Sequence, residues 1–334
     1  MQRTVYFCER NSVSGLRLVD EELSSPAPHE IQVSVKAIGL NFADIFSILG
    51  LYEAAPKRPF VPGLEYSGVV EAVGERVSEF KKGDRVMGVR FFGSYATALN
   101  VDARLVRRIP DGWTFEEGAA HLVASLTAYY GLIDQCRLRK GEAVLIQSAA
   151  GGVGLAALAI AKKYDCYVIG AVGSEAKKDF CLKQGCDAVV VRSGSFKSDL
   201  RKVLSGRELS VVMEAIGGRT FRDSFALLAP RGRIAIYGFA EYMPHGLLSY
   251  AVALWRYLRR PWIDTLRLNN RLVAGFNLIF LFSHADDIGK YVDEIRSLGI
   301  GKPYVGATYK FEELPKAVEV LKSGKTIGKV IVVV

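Results

Sequence analysis

The sequence lacks the features of secreted and disulfide-bonded proteins. Its five cysteines include no Cys-x-x-Cys pair, and their odd number in a chain of 334 residues favours reduced, structural thiols over a disulfide framework. Residues 1–10 contain charges and no sustained apolar core, so no cleaved secretory signal is predicted. Together these absences predict a cytoplasmic protein.

A concentrated cluster of positive charge is also missing. The formal net charge is +9, but lysines and arginines are interleaved with acids along most of the chain, and no recognised nucleic-acid motif accompanies them. No nucleic acid is therefore expected as a partner. A phosphate-rich cofactor and a solvated surface account for the excess charge more simply.

Long uninterrupted apolar runs are absent even from the apolar and aromatic segment 246–282. Its large side chains include Trp255, Trp262, Phe276, Phe280 and Phe282, and arginines interrupt it at positions 256, 259, 260, 267 and 271. It cannot cross a bilayer as one helix, because no run reaches the roughly 20 apolar residues required. A partly buried helix pair with extended arginines, an interfacial segment, a subunit contact and a lid all remain open, and with them peripheral membrane contact.

The most informative segment present is 142–172, which reads as a buried strand, a glycine-dense turn, an apolar helix and a second buried strand. This is the layout of a dinucleotide-binding βαβ unit. Ala149 takes the place of the usual first glycine, and Gly151 and Gly154 take the second and third places. Gly151 would let backbone N–H groups approach a pyrophosphate, and Gly154 would let the helix pack close to the strand. A redox enzyme is the first hypothesis.

The texture of the chain predicts an α/β protein of two domains. Hydrophobic residues make up 50% of the chain and charged residues 24%, as in globular proteins, and the length exceeds that of most single domains. The first ~120 residues have strand character, with examples at 31–38, 66–73 and 84–89. Strands at 143–147, 167–172, 188–191, 210–214 and 233–237 then alternate with segments of helical length, which predicts a doubly wound parallel sheet. A strand at 272–276, a helix at 285–298 and a strand at 329–334 follow.

Three segments carry a resemblance to the medium-chain dehydrogenase/reductase superfamily: residues 39–44, 62–68 and 149–154. The chain most resembles the zinc-independent quinone oxidoreductase family, and residues 269–278 point to its vesicle amine transport protein-like branch. The resemblance implies a mainly β GroES-like catalytic domain at 1–122, completed by 268–334, and a Rossmann domain at 123–267. It also implies a homodimer formed through the nucleotide-binding domain.

Compared with the zinc-dependent relatives, the chain has no metal ligands at the expected positions. Those relatives would need a cysteine near position 41, a histidine near 64 and a third ligand near 123, where this sequence has Asn41, Leu64 and Val123. The four-cysteine lobe for a structural zinc is missing too, because no cysteine lies between Cys8 and Cys136. No metal is expected. Without a Lewis acid, reduction of a conjugated carbonyl is favoured over oxidation of an alcohol.

The resemblance implies which residues surround a substrate. Asn41 would lie near the nicotinamide, and Asp44, Tyr52 and Leu64 would line or support the substrate space. Each of the first three also has a structural interpretation: Asn41 could cap a helix beginning at Phe42, Asp44 could pair with a basic residue, and Tyr52 could pack at the surface. No residue is identified as the acid that protonates the product.

Charge at the end of the second βαβ strand favours NADPH. The acid that would bind the ribose of NAD is replaced by Val172, although Glu175 follows closely. The resemblance places Lys177 at the 2′-phosphate, while the family's tyrosine position holds Val191. Arg192, next to it, could grip the phosphate instead, or both cations could be solvated surface charges.

Further cofactor contacts are implied by the resemblance alone. They are Thr127; Ala150, Gly151, Gly152 and Val153 of the glycine turn; Gly173 and Ser174; Tyr237 and Gly238; Phe276 and Asn277; and Lys329. Thr127 could instead bond its own helix, and Phe276 could fill core.

Four functions compete on these grounds. The first is an NADPH-dependent quinone or enone reductase acting on a small molecule without zinc. The second is an enoyl-thioester reductase of polyketide or lipid synthesis. The third is a lipid- or membrane-associated binding protein that keeps the reductase fold, motivated by the Arg- and Trp-rich residues 254–267. The fourth, a crystallin-like nucleic-acid binder, has only bulk charge behind it.

Overall fold

Two units divide the chain in the computed structural model, which describes residues 1–238, 240 and 263–334. The first unit comprises Met1–Leu126, Leu278–Ser297 and Gly301–Val334, and the second comprises Thr127–Asn277 and Leu298–Ile300. Residues 246–262 of the segment 246–282 that raised the question of membrane contact, tryptophans 255 and 262 among them, lie outside the described residues.

The described strands and helices are as follows. The strands are β1 (Gln2–Cys8), β2 (Leu16–Glu22), β3 (Glu30–Gly39), β4 (Glu65–Val73), β5 (Arg85–Val89), β6 (Ala98–Asp102), β7 (Val106–Arg108), β8 (Ala143–Gln147), β9 (Tyr167–Val172), β10 (Ala188–Val191), β11 (Leu209–Glu214), β12 (Leu228–Ile236), β13 (Leu272–Gly275), β14 (Val305–Lys310) and β15 (Lys329–Val333). The α-helices are α1 (Phe42–Ile48), α2 (Phe115–Ala119), α3 (Leu122–Tyr129), α4 (Gly152–Lys163), α5 (Lys178–Lys183), α6 (Phe196–Leu204), α7 (Gly218–Leu227), α8 (Ile263–Leu268), α9 (Ala285–Leu298) and α10 (Leu314–Lys322).

The first unit is built on a mostly antiparallel sheet with the strand order β14-β15-β3-β4-β5-β7, in which β6 also pairs with β3. Only β14 and β15 run parallel in this sheet, and β1 and β2 form a separate antiparallel pair. The long strand β3 is buried along most of its length and pairs with β4, β6 and β15. It therefore brings the C-terminal strand β15 close to the beginning of α1.

The second unit contains a parallel six-stranded sheet with the order β10-β9-β8-β11-β12-β13. Its core joins apolar residues of the central strands, among them Leu145, Ile169, Val212 and Ile234, with Phe196 and Phe225 from the covering helices. Burial on both faces explains why these strands are continuous apolar runs. The strand order reverses between β8 and β11, and ligands of such sheets bind beyond the carboxyl ends of the strands at this switch point.

The predicted α/β class, with a Rossmann-like parallel sheet and a separate mainly β domain, is confirmed. The start of β12 differs from the sequence prediction: the strand begins at Leu228 rather than at Arg233. Pro230, Arg231 with φ +63° and Gly232 interrupt the apolar pattern there, so the first half of the strand was not recognised. Residues 268–277 lie in the second unit, because β13 pairs with β12. The sequence division had placed these residues with the first domain.

Among the residues described, no helix is both long enough and apolar enough to cross a bilayer.

Candidate active site

Asn41 and Asp44 stand at the beginning of α1. The chain leaves β3 at Gly39, and Asn41, with extended backbone angles, is the N-cap residue of the helix. The Asp44 carboxylate accepts a hydrogen bond from the Asn41 backbone N–H at 2.8 Å. This bond satisfies one of the amides that a helix N-terminus leaves without a partner. The capping interpretation of Asn41 is therefore present in the structure, and it leaves the Asn41 side chain available for other contacts.

Those contacts join Asn41 to a buried ion pair. Lys329, the first residue of β15, donates from Nζ to Asn41 Oδ1 at 2.8 Å and to Glu65 Oε2 at 2.7 Å. The Asn41 amide in turn donates to Gly39 O at 3.1 Å and to Glu65 Oε2 at 3.4 Å. Glu65 Oε1 accepts the Val123 backbone N–H at 2.8 Å. Positions 41 and 123, where zinc-dependent relatives carry metal ligands, thus meet at the Glu65 carboxylate, and Leu64 precedes it in the chain.

Because the ion pair between Lys329 and Glu65 is buried, breaking it costs a large free energy. The Glu65 side chain has no exposed surface and that of Lys329 is 6% exposed. Separating two such charges, or removing one, leaves a charge in a poorly solvated site, whereas the intact pair is neutral and hydrogen-bonded. The side chain of Asn41 is therefore held rigidly by Lys329 and Glu65.

Asp44 is a second buried acid beside this pair. Its Oδ2 accepts hydrogen bonds from the Asn41 N–H and, at 3.1 Å, from the Tyr95 hydroxyl. Burial raises the pKa of Asp44 from its usual 3.8 to about 7, against the lowering effects of the Asn41 N–H, Lys329 and Tyr95. Burial and the neighbouring Asp44 raise the pKa of Tyr95 as well, so Tyr95 stays a donor. Asp44 therefore changes charge near neutral pH.

Tyr52 and Leu64 have described contacts of other kinds. The Tyr52 ring lies 6.4 Å from the ring of Phe92, and Phe92 lies 5.6 Å from Phe60 in an edge-to-face arrangement. Leu64 is buried, and its carbonyl accepts the Arg90 N–H at 3.0 Å. The structure brings Asn41, Asp44 and Lys329 together and places Tyr52 in a separate aromatic group.

In the second unit, the glycine turn connects β8 to α4. Gly151 is the N-cap of the helix, and its carbonyl accepts the first helical hydrogen bond, from Leu155 at 2.9 Å. The following amides, those of Gly152 and Val153, belong to the first turn, where a helix offers its N–H groups to an anion. A Cβ at Gly154 would lie 2.5 Å from Ser148 O and 2.7 Å from Ala149 Cα. Only glycine lets α4 begin so close to the turn.

Two cations meet at the end of β9. The Arg192 N–H donates to Val172 O at 2.8 Å, and Arg192 Nη1 donates to Ala171 O at 3.2 Å. A Cβ at Gly173 would lie 3.2 Å from Arg192 Nη2, so the guanidinium covers this glycine. Burial and the charge of Arg192 lower the pKa of Lys177. An anion between these cations would relieve that repulsion.

Arg192 also lines a cavity of about 340 Å³, together with Ile216, Arg219, Thr220 and Ala240. Gly173, Lys177 and Arg192 therefore fit a phosphate group at the end of β9, and the glycine turn fits a pyrophosphate. Ser174 precedes the 3₁₀ turn Glu175–Lys177, and Val191 ends β10.

Aromatic rings gather at the ends of β12 and β13. The rings of Tyr237 and Phe276 are stacked at 6.3 Å, and Tyr130 meets Phe276 edge-on at 5.0 Å. Burial, with a contribution from Glu214, raises the pKa of Tyr237. A Cβ at Gly238 would lie 3.0 Å from Ala215 O. Phe276 thus packs against two tyrosines.

Of the remaining candidates, Thr127 is buried in α3, Ala150 is buried in the turn, and Asn277 directly follows Phe276.

Three contacting residues were missed from the sequence: Glu65, Tyr95 and Tyr130. Glu65 lies within the motif at 62–68 and is the first residue of β4. Lys329 is likewise the first residue of the apolar strand β15, so an acid and a lysine at two strand starts were the available signal. Tyr95 and Tyr130 gave no signal, because their contacts depend on chain segments far away in sequence.

A basic groove lies elsewhere in the first unit, between the segment 103–108 and one face of α9. It has a volume of about 530 Å³ and is lined by Arg104, Arg107, Arg108, Lys290 and Arg296 together with Glu79, Asp286 and Asp293 and apolar residues. Arg107 Nη1 is fixed by the carbonyls of Arg104 at 2.9 Å and Val106 at 2.6 Å. Cations thus outnumber acids in the groove.

No group of three or more histidine, cysteine or carboxylate side chains suited to a metal occurs within residues 1–238, 240 and 263–334.

The parallel sheet in this order, the glycine turn before α4 and the separate antiparallel unit define a two-domain oxidoreductase of the NAD(P)-binding type. Residues 27–111 match the alcohol dehydrogenase GroES-like domain family, and residues 152–259 match the zinc-binding dehydrogenase family. The chain belongs to the medium-chain dehydrogenase/reductase superfamily.

Its relatives include proteins with two kinds of name. The chain is 33% identical over 315 residues to the synaptic vesicle membrane protein VAT-1 homolog of Rattus norvegicus, covering 92% of this chain and 78% of that protein. It is 33% identical over 310 residues to quinone oxidoreductase-like protein 2 of the same species, covering 91% of this chain and 85% of that protein.

Solved structures of a quinone oxidoreductase and an enoyl reductase are similar in fold to this chain. Quinone oxidoreductase of Escherichia coli, complexed with NADPH, has a TM-score of 0.85 and 28% identity, with 100% of both chains covered. The CurK enoyl reductase has a TM-score of 0.83 and 25% identity, with 99% of both chains covered.

Proposed function

We propose that this protein is an NADPH-dependent reductase of quinones or α,β-unsaturated carbonyls that works without zinc. The observation that carries the proposal is the buried Lys329 ammonium bonded to Asn41 and Glu65. It places a fixed positive charge beside positions 41 and 123, where a metal would otherwise be held.

An ammonium and a metal ion support different chemistry. Lys329 can hold the carboxylate of Glu65 and orient the Asn41 amide, but it offers no open coordination site at which an alcohol could ionise. A conjugated acceptor needs no such ionisation, because its π system spreads the negative charge that arrives with a hydride. The site is therefore suited to positioning an acceptor and excluding water rather than to activating an alcohol.

The residues that would hold the cofactor are those at the ends of β8 and β9. The amides of Gly152 and Val153 would take the pyrophosphate, and Lys177 and Arg192 would take the 2′-phosphate, which favours NADPH over NADH. When bound, the nicotinamide supplies a hydride. Tyr237 and Phe276 would provide aromatic surface beyond β12 and β13.

Asp44 is a buried carboxyl group that binds a proton near neutral pH, because burial raises its pKa to about 7. Since the Asn41 N–H and the Tyr95 O–H both donate to Oδ2, the proton of the neutral acid belongs on Oδ1, which has no hydrogen-bond partner among the described residues. Protonation removes a negative charge beside Lys329 and Glu65. We propose that Asp44 acts as a positioning residue that tunes this cluster.

The direct test is NADPH oxidation in the presence of 1,4-benzoquinone, 9,10-phenanthrenequinone and several enones. Arg192→Ala should raise the Kd of NADPH about 10- to 100-fold, the loss of one or two charge-assisted hydrogen bonds, and leave NADH binding nearly unchanged. Arg201→Ala on the exposed part of α6 is the matched control. Equal loss for both nucleotides would contradict the phosphate assignment.

Zinc independence has a separate test. The purified protein should contain far less than one zinc per chain, and a chelator should leave turnover unchanged. Stoichiometric zinc whose removal abolishes activity would refute the role given to Lys329.

A second candidate function, reduction of a carrier-bound enoyl thioester, is favoured by the basic groove along α9. An acidic carrier or a phosphorylated arm would be attracted there. Turnover of an enoyl thioester that falls after Arg104→Glu, with free quinone turnover unchanged, would support it. Equal thioester turnover in both proteins would remove this support.

The homodimer and the membrane association remain predictions. The sheet edge at β13 leaves Leu272 44% exposed, which supports pairing of two copies there. Light scattering after size exclusion tests the dimer. Co-sedimentation with anionic vesicles, compared between the wild type and Trp262→Ala, tests the membrane interpretation.

A further inference from the structure

Two buried thiols in the second unit are brought together by the way α5 ends. The Cys186 N–H donates to Cys181 O at 3.1 Å, and the Gly185 N–H donates to Leu182 O at 3.0 Å. Gly185 has φ +108°. These two bonds and the positive φ form a Schellman motif, in which the residue after the glycine packs against the residue five positions earlier. That packing pair, usually hydrophobic, is here Cys186 on Cys181.

The two side chains contact each other and lie away from solvent. Cys181 is 0% exposed and Cys186 is 6% exposed, and both are free thiols. The hydrogen bond from Cys186 lowers the pKa of Cys181, and the same bond together with burial raises the pKa of Cys186. Cys181 is therefore the better nucleophile of the two, and Cys186 is the donor.

The pair also lies close in sequence to Lys177, one of the residues proposed to hold the cofactor. Lys177 stands four positions before Cys181, one helical turn away, and its charge further lowers the pKa of Cys181. Lys177 directly precedes α5, the short helix that contains Cys181.

We propose that Cys181 and Cys186 are an oxidation site, and that their disulfide weakens binding of the 2′-phosphate at Lys177. The second half of this inference rests on the proposed function. The i→i+5 hydrogen bond brings the two residues close enough for a disulfide, whose Cα atoms are typically about 4.4–6.8 Å apart. Closing the S–S bond to about 2 Å draws the end of α5 inward and displaces Lys177.

The oxidant is hydrogen peroxide, and the reaction takes two steps. The Cys181 thiolate attacks the peroxide oxygen, the O–O bond breaks, and hydroxide leaves a sulfenic acid on Cys181. The Cys186 sulfur then attacks the Cys181 sulfur, the S–O bond breaks, and water leaves with the thiol proton. The two thiols lose two electrons and two protons, and the peroxide is reduced to water.

Access to the buried pair follows from the small size of α5. The helix has six residues, and Leu182, Lys183 and Gln184 are exposed. Helices this short are marginal without tertiary contacts, so we expect local opening of the last turn to expose Cys181 without global unfolding.

The chain itself supplies a sharp assay, because Lys183 lies between the two cysteines. Trypsin separates them into peptides 179–183 and 184–192. After mild treatment of the full-length protein with hydrogen peroxide, non-reducing mass spectrometry should find these two peptides joined. Cys186→Ser and Cys181→Ser should each abolish the joined species, whereas Cys166→Ser, a buried thiol elsewhere, should not. Intact alkylatable Cys181 and Cys186 after oxidation would overturn the proposal.

Binding measurements test the coupling. Oxidation should raise the Kd of NADPH about fivefold or more and leave the Kd of NADH unchanged. By reciprocity, bound NADPH should shift the dithiol–disulfide equilibrium toward the dithiol by the same factor. A joined peptide pair with unchanged NADPH affinity would overturn the coupling. If the reduced protein binds neither nucleotide, the proposed function fails along with the coupling, while the peptide assay still decides the oxidation site.

Discussion

Asp44→Asn replaces a carboxyl that titrates in the folded protein with a side chain that does not. The amide oxygen can accept the same two hydrogen bonds, from the Asn41 N–H and the Tyr95 hydroxyl, so the helix cap is preserved. The new NH₂ group takes the place of Oδ1, and its burial adds a cost that does not depend on pH. The pH dependence of the stability difference between Asp44→Asn and the wild type then reports on Asp44.

The sign follows from the raised pKa. Burial raises the pKa of Asp44 from 3.8 to about 7. The folded state therefore binds more protons than the unfolded state between these values, and the wild type loses stability as pH rises through this window. The full difference corresponds to ~4 kcal/mol, of which roughly 2–3 kcal/mol falls between about pH 5 and pH 8. The charged groups that face Asp44 are Lys329 and Glu65.

Urea unfolding at several pH values measures the effect. The stability of Asp44→Asn relative to the wild type should rise by roughly 2–3 kcal/mol from about pH 5 to about pH 8. Tyr95→Phe removes a donor that lowers the pKa of Asp44. The Tyr95→Phe protein should therefore lose more stability than the wild type as the pH rises from about 5 to about 8. A constant difference between Asp44→Asn and wild type across the range would refute the idea that Asp44 is buried and titrates near neutrality.

Three further outcomes are expected. Lys329→Met should lower the free energy of unfolding in urea by ~3–5 kcal/mol, because it leaves the buried Glu65 without its partner. Adding Glu65→Gln should recover much of this stability, and additive losses from the two substitutions would contradict the ion pair. Gly154→Ala should weaken the binding of both nucleotides and destabilise the protein by ~1–3 kcal/mol, because the new Cβ meets backbone atoms. Gly194→Ala, at a position with open space around it, is the control and should change neither binding nor stability. Arg192→Glu should reverse the preference for NADPH over NADH in fluorescence titrations, and an unchanged preference would remove Arg192 from the phosphate site.

The parallel strands could be predicted closely from the sequence. β8, β9 and β10 coincide with the predicted ranges, because each is a continuous apolar run bounded by polar or glycine residues. β12 was predicted too short, because Arg231 and Gly232 break the apolar pattern in a strand that continues through them. Local pattern thus predicts uniform strands and fails at irregular ones.

The candidate site was predictable only in its local half. Local pattern predicted only that Asn41 could cap a helix beginning at Phe42, and the place of Asn41 and Asp44 in the site came from the resemblance. Their partner Glu65 is 24 residues from Asn41, and Tyr95 is 51 residues from Asp44. Lys329 was named by resemblance, but its bonds to Asn41 and Glu65 depend on the pairing of β15 with β3, which no local pattern fixes.

The measurement that tests the central claim most directly is a fluorescence titration of the metal-free protein with NADPH and NADH, followed at once by a turnover assay with quinones and enones. We expect tight binding of NADPH, weaker binding of NADH, and oxidation of NADPH by one class of acceptor with no zinc present. Failure to bind either nucleotide, or turnover only after zinc is added, would contradict the account.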